Sequence, residues 1–528
     1  TLTSAPITVS EPWASFLIGG GNHVETCVEI LSADDGRALF RASGVGSETM
    51  QRSLVDLRAH RGERIRIRLV DGRTDGWGHV NFDDFRFHAE RPVFEPPPGL
   101  PALLPLDAVE NAGLTPPRAR DAMHVPAGFQ VDLIAAEPDV HQPIAFTFDD
   151  RGRLWVAEAF SYPTRSKDGE GRDDIVVFED ADHDGSFERR TVFASGLNLV
   201  SGLEVGFGGA WIGAAPQLLF IPDRDGDLVP DGPPQVKLDG WGFQDTHETL
   251  NAFAWGPDGW LYGCHGVFTH SNVGRPGAKD AERTKLNAGV WRFHPQRGEF
   301  EVFAWGTSNP WGIDWNSEGQ AFITACVIPH LFHVIQGARY ERQAGEHFGK
   351  YVFADLKTIA DHAHWTGADP WAGNSRSGSV GGGHAHAGAM VYLGGAMPER
   401  YRDTLMMSNI HGNRVNNDLL ERTRSGYVGR HAEDFLLADD RWFRGIHLKY
   451  GPDGAVYLID WYDKQACHLT TPEIWDRTNG RIYRVSFGDA APFDVDLSRH
   501  SALELAQLQR HPNEWFARHA RRLLQERG

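Results

Sequence analysis

The sequence predicts a mostly β chain: a six-bladed β-propeller, preceded by a small β-sandwich and followed by a short α-helical tail. Three observations predict it. A strand–turn–strand unit recurs through the middle of the chain at intervals of roughly 50–60 residues, the period of propeller blades. The first part of the chain alternates apolar and polar residues between Gly/Asp turns. Helical spacing is concentrated near the end, in Ser501–Leu508 and Trp515–Leu524.

Residues 1–90 are expected to form the sandwich. Arg64-Ile65-Arg66-Ile67-Arg68-Leu69-Val70 has the two-residue period of a strand buried on one face, and no helical stretch interrupts the segment. Residues 91–124 read as a Pro-rich linker, beginning at Pro96-Pro97-Pro98-Gly99, a composition that favours extended chain. Residues 125–487 hold the repeat. Its clearest copies are Phe146–Val156, Phe253–Tyr262 and Leu448–Leu458, each with an Asp/Gly turn between apolar strands; Leu203–Ile212 and Ile313–Ile323 are weaker copies. The gap from 323 to 448 has room for a further blade near Ala389–Asn409. Residues 488–528 form the tail, which has the look of the first unit of a helical repeat, so the natural chain is expected to continue.

The chain carries 71 acidic and 52 basic residues, a formal net charge of −19, without the clustered basic surface that nucleic acid requires. No run approaches the roughly 20 apolar residues that span a bilayer. A start at Thr1 with no Met or apolar leader is read as a processed export signal, which places the protein in the periplasm or outside the cell. Cys27, Cys264, Cys326 and Cys467 allow three pairings, and spacing chooses none of them. No CxxCH occurs, so the chain carries no c-type haem.

Two acidic loops share one spacing: Asp180, Asp182, Asp184 and Glu188, and then Asp223, Asp225, Asp227 and Asp231. Alternating carboxylates suit calcium, although no Glu falls where an EF-hand needs one. Histidine is the more informative residue. Many of the 25 lie in Gly/Asn-rich segments, among them His330, His362-Ala363-His364, His384-Ala385-His386 and His411. In extended chain, residues two apart face one way, so each His-x-His pair offers two imidazoles to one side, as a transition metal requires. His384, His386 and His364 are therefore candidate metal ligands. Asp245, His247, His411 and Asp460 are acid–base candidates. Asn309, Arg414, Arg441 and Arg444 are candidates for holding an anionic cofactor edge.

Several uncommon motifs occur in order: Val125-Pro126-Ala127-Gly128-Phe129, Asp245-Thr246-His247-Glu248, Gly256-Pro257-Asp258-Gly259, Ser308-Asn309-Pro310-Trp311-Gly312, Gly383-His384-Ala385-His386 and Ile410-His411-Gly412-Asn413-Arg414. Over about residues 120–485 they resemble the planctomycete-type membrane-bound dehydrogenase propellers. More distantly, they resemble the soluble quinoprotein glucose and sorbosone dehydrogenases. That resemblance implies calcium, pyrroloquinoline quinone and a c-type cytochrome as electron acceptor. It also implies His247 as base, with Asn309, Arg441 and Arg444 at the quinone. The arginine of the family's Arg-Asn-Pro motif is Ser308 here, and a family lysine falls near His411, so two quinone contacts are missing. Phe16–Gly21 and Gly76–Asp83 resemble carbohydrate-associated sandwich modules.

Three readings follow. The first is a sugar dehydrogenase-like oxidoreductase acting on carbohydrate from the propeller's loop face. The second is a metal-dependent polysaccharide hydrolase or lyase built on the histidines, and the third a carbohydrate-binding propeller without catalysis. Fold alone does not choose among them.

Overall fold

The computed structural model describes all residues except 24, 75, 95, 96, 98, 99, 101, 102, 104–112, 350, 365–384, 466–475 and 491. The chain is mostly β and divides into two units. One comprises Thr1–Arg118, Asp440–Trp442 and Asp463–Asn479; the other comprises Ala119–Asp439, Phe443–Tyr462 and Gly480–Gly528.

The smaller unit holds two antiparallel sheets. In one, Arg64–Asp71 pairs with Leu2–Thr3, Ile7–Thr8 and Thr26–Ser32, and Thr26–Ser32 pairs with Ala38–Ser43. In the other, Trp13–Gly20 lies between Ser47–Asp56 and Val80–His88. The alternation in 64–70 is realised directly. Ile65 and Ile67 are buried with Phe16, Ile18, Val28, Ile30 and Val55 in one core, while Arg64 is exposed on the other face. Burial of these side chains stabilises the pair of sheets by about 1.5–3 kcal/mol each.

Among the described residues, the larger unit contains six sheets of three or more strands in succession, whose first strands are labelled β1 to β6, and a two-stranded pair, Ser271–Val273 with Thr284–Leu286. The strand pairings are antiparallel except that of Glu299–Gly306 with Arg339–Tyr340. The first strands are β1 (Pro143–Phe148), β2 (Val200–Val205), β3 (Asn251–Trp255), β4 (Ile313–Trp315), β5 (His386–Val391) and β6 (Gly445–Tyr450). The sheet begun by β5 occupies the gap between the recognisable repeats. In the first sheet, four strands pair in chain order: β1, Leu154–Glu158, Asp173–Glu179 and Arg189–Leu197. The sixth sheet differs. Its outermost strand, Phe129–Ala136, comes from ahead of β1 and pairs antiparallel with Arg481–Phe487. A strand from one end of the unit thereby covers an edge that would otherwise be exposed at the other.

The repeated turns have a common cause. Asp258 Oδ1 accepts from Trp260 N at 3.3 Å, and Asp453 Oδ1 from Ala455 N at 3.1 Å. Gly259 and Gly454 follow with φ of +82° and +75°, a conformation a side chain would strain.

Two helices end the chain: α1 (Ala502–Gln507) and α2 (Glu514–Arg527). Asn513 caps α2 by accepting from Trp515 N, and its amide donates to Gly451 O and Pro452 O in the turn after β6. Arg518 donates to Asp314 and to Trp315 O at the end of β4, and Glu526 accepts from Phe207 N after β2. One cavity is lined by Thr147, Glu204, Phe253, Asp314, Met390 and Lys449, one residue from each of β1 to β6, and by Trp515 and Arg518 of α2. The first strands therefore surround a common axis, and α2 sits at the end where they turn into the second strands. In an antiparallel meander, the segments entering the first strands and those joining second to third strands lie at the opposite end.

Candidate metal centre

At that opposite end, the fourth and fifth sheets bring a group of histidines around one aspartate. His330 precedes the third strand of the fourth sheet, Leu331–Val334. Asp418 lies on the third strand of the fifth sheet, Arg414–Thr423, directly across from His431 on the fourth strand, Gly426–His431. The segment carrying His362 and His364 is pinned alongside that strand. Asp361 N donates to Gly429 O, Gly429 N to Ile359 O, and Arg430 pairs with Asp361. The side chains of Asp418, His330 and His364 are fully buried.

The distances are specific. Asp418 Oδ1 lies 3.3 Å from His362 Nε2 and 3.5 Å from His364 Nε2, and those two nitrogens are 3.3 Å apart. A four-coordinate zinc with bonds of about 2.0–2.1 Å sets its ligand atoms about 3.3–3.4 Å apart, and these three atoms have about that spacing. His431 Nδ1 is 3.7 Å from Asp418 Oδ1, and His330 Nε2 is 2.7 Å from Oδ2. His386, at the start of β5, places its ring 5.0 Å from that of His330 and 5.2 Å from that of His364.

The electrostatics match the donor set. Burial pushes the His330 imidazole down to about 4, with His364 adding to the effect, so His330 is neutral near pH 7. Burial acts to raise the Asp418 carboxyl, yet the facing His330 and the bonds from His362 and His364 hold it well below the usual carboxylate range. Burial acts to lower the His362 imidazole, but Asp418 and Asp361 raise it overall. One carboxylate with several imidazoles is a donor set that suits Zn, Fe or Mn. An outer layer supports it. Asn409 approaches His386 Nε2 at 3.5 Å and donates to Asn416, and Asn416 donates to Asp434, which also receives Arg414 at 2.9 Å.

Of the residues proposed as metal ligands, His364 and His386 fall in this group, and His384 lies outside the described residues. His330, His362, Asp418 and His431 complete it. The His-x-His spacing at 362–364 pointed to one of these. A wholly buried polar run within a strand, Asn416-Asn417-Asp418, is the signal for another.

The remaining candidates lie elsewhere or have other partners. His247 and Asp245 form an ion pair at the entry to β3, in a group with Glu248. Burial acts to lower the His247 imidazole, but Asp245 raises it overall. Burial takes Glu248 up to about 7. His411 is buried in the turn joining the second and third strands of the fifth sheet. Asn309 Oδ1 accepts from Val267 N at 3.1 Å. Asp460 Oδ1 accepts from Arg444 N and Tyr462 N, and Arg444 donates to Phe443 O. Arg441 is exposed and belongs to the other unit. Arg414 pairs with Asp434. The acidic loops join the third and fourth strands of the first two sheets. Asp180, Asp182 and Glu188 bring carboxylate oxygens within 4.8 Å of one another, as do Asp223, Asp225 and Asp227, while Asp184 and Asp231 stand outside those groups. Many of their oxygens cap turns, as where Gly185 N and Gly226 N donate to Asp180 and Asp223.

The chain belongs to the family described as "Domain of unknown function (DUF7133)", whose model matches residues 115–489. A protein of Aspergillus rugulosus described as a candidate glycosyl hydrolase is 31% identical over 90 residues, which are 17% of this chain and 13% of that protein. Among solved structures, similarity extends to the aldose sugar dehydrogenase of Streptomyces coelicolor in its PQQ-bound form, at 15% identity and a TM-score of 0.40 over 69% of this chain and 99% of that one. An oxidoreductase of Thermus thermophilus described as a glucose dehydrogenase has 17% identity and a TM-score of 0.44, over 68% and 99%. Regucalcin, a calcium-binding protein of Agrobacterium tumefaciens, has 12% identity and a TM-score of 0.36, over 69% and 97%.

Proposed function

We propose that the chain is a metal-dependent enzyme that cleaves carbohydrate, by hydrolysis or elimination. In this reading the six sheets are the blades of a propeller and the two-sheet unit is a carbohydrate-binding sandwich. A divalent transition metal is held by His362, His364 and Asp418, with His330 and His431 beside them. The observation that carries the reading is the spacing of the three ligand atoms, at 3.3 to 3.5 Å. When bound, such a metal supplies Lewis acidity toward a substrate oxygen. Asp418 supplies the anionic ligand, and neutral His330 fixes its second oxygen. His431, part-exposed between Asp418 and Asp434, is the group placed to carry a proton to or from substrate. The stretch shared with a described glycosyl hydrolase supports carbohydrate as the substrate class.

A second reading, oxidation of a sugar hydroxyl, is favoured by the His247–Asp245 pair, an imidazole held in one tautomer and raised in basicity. A periplasmic or secreted location and a c-type cytochrome acceptor go with that reading. The test is a panel of oligosaccharides given to chelated and metal-reloaded protein, with and without an artificial electron acceptor. Cleavage that needs metal and no acceptor supports the first reading; turnover only with an acceptor replaces it with the second.

A further inference from the structure

We propose that Asp245, His247 and Glu248 form a second cation site, separate from the histidine cluster, that takes one divalent first-row transition metal ion. The three residues enter β3 on a loop whose shape is fixed from outside. Thr246 Oγ1 donates to Pro163 O, Asp245 N donates to Thr269 Oγ1, and that hydroxyl donates back to Asp245 O. One ligand atom from each side chain lies within 4.8 Å of the others.

Glu248 is the informative member. It is fully buried, and its Oε1 accepts from Phe268 N at 2.6 Å. Its Oε2 is buried with no hydrogen-bond partner among the described residues. The strand end beside it is Gly266, where a Cβ would stand 2.4 Å from Glu248 Cβ and 2.5 Å from Oε2, so the carboxylate packs against bare backbone. A nearby guanidinium, Arg342, donates to Asn287 O and Val267 O. Two carboxylates and one imidazole thus converge, and the imidazole is the one member of the three that can carry positive charge. A buried carboxylate oxygen left unmatched is unfavourable, and a bound cation removes that penalty. Two oxygen donors with one imidazole suit Mn²⁺ or Zn²⁺ better than the all-oxygen shell of Ca²⁺.

The test is metal stoichiometry with Mn²⁺ and Zn²⁺ as probes, in buffer saturated with Ca²⁺ to occupy the acidic loops. Wild-type protein is expected to hold two ions per chain. Glu248→Gln and Asp245→Asn should each lower this to one, with at least a tenfold loss of affinity at the lost site; His364→Ala should also leave one, held elsewhere. Stoichiometry unchanged in folded Glu248→Gln and Asp245→Asn proteins overturns the proposal. If the histidine-cluster reading alone is wrong, wild type holds one ion, which Glu248→Gln removes and His364→Ala keeps. Melting curves with and without metal decide the case of a variant that folds poorly, because a site that binds must raise the wild-type Tm progressively as free metal rises above its Kd.

Discussion

Glu158 shows what burial does to a single ionisable group in this fold. It ends the second strand of the first sheet with 1% of its side chain exposed, and burial pushes its carboxyl up to about 7 even though His141 N and Arg190 bond to it. The folded protein therefore holds a proton that the unfolded chain releases near pH 4.5, so the contribution of Glu158 to stability is whole below that value and is lost as pH rises toward 7. Urea unfolding at pH 5 and pH 8 is expected to show Glu158→Gln gaining stability relative to wild type between the two, by on the order of 1–2 kcal/mol. A difference unaltered by the substitution would contradict the assignment. At Asp418 the opposite holds, since imidazoles keep it ionised. Legibility in the sequence differed at the same scale. His364 was visible because the two-residue spacing at 362–364 fixes the side on which imidazoles fall. Asp418 was not, because an acidic residue in a strand reads as solvent-facing until its neighbours are known. Asn309 and Arg444 read as cofactor-holding groups and Asp460 as an acid–base group; Asn309 and Asp460 also accept from backbone N–H groups and Arg444 donates to Phe443 O, contacts that motif order does not reveal.

Among the elements, the hairpins and helices were legible and their docking was not. The strong copies carry Asp and Gly where a turn needs a side-chain cap and a positive φ. The copy at Leu203–Ile212 turns at Phe207 and Gly208, with φ of 55° and 75°, and lacks that mark. Helix α2 follows from its spacing, but its partners are turns far apart in sequence. Trp515 is buried against the cavity at the axis. Trp515→Ala should cost about 3–5 kcal/mol by thermal or urea unfolding. Asn513→Ala, which removes a helix cap and two bonds to the turn after β6, should cost about 1–2 kcal/mol. An effect of a few tenths at either position would mean that the helix is not docked there.

Across the larger unit as a whole, closure depends on one pairing that no local pattern contains: Phe129–Ala136 with Arg481–Phe487. Its register joins segments about 350 residues apart in sequence, which periodicity cannot foresee. A chain starting after Ala136 should lose cooperative unfolding and aggregate, because Arg481–Phe487 becomes an open edge; a sharp, reversible transition in that truncation would contradict the closure. The candidate metal centre is likewise a property of the assembled unit, drawing its side chains from residue 330 to residue 431 across two sheets. The most direct test of the account is the metal content of purified wild-type and Asp418→Asn protein, reloaded with Zn²⁺ in Ca²⁺-saturated buffer. The account predicts one fewer equivalent of zinc in Asp418→Asn, together with loss of metal-dependent carbohydrate cleavage. Equal zinc content in the two folded proteins would contradict it.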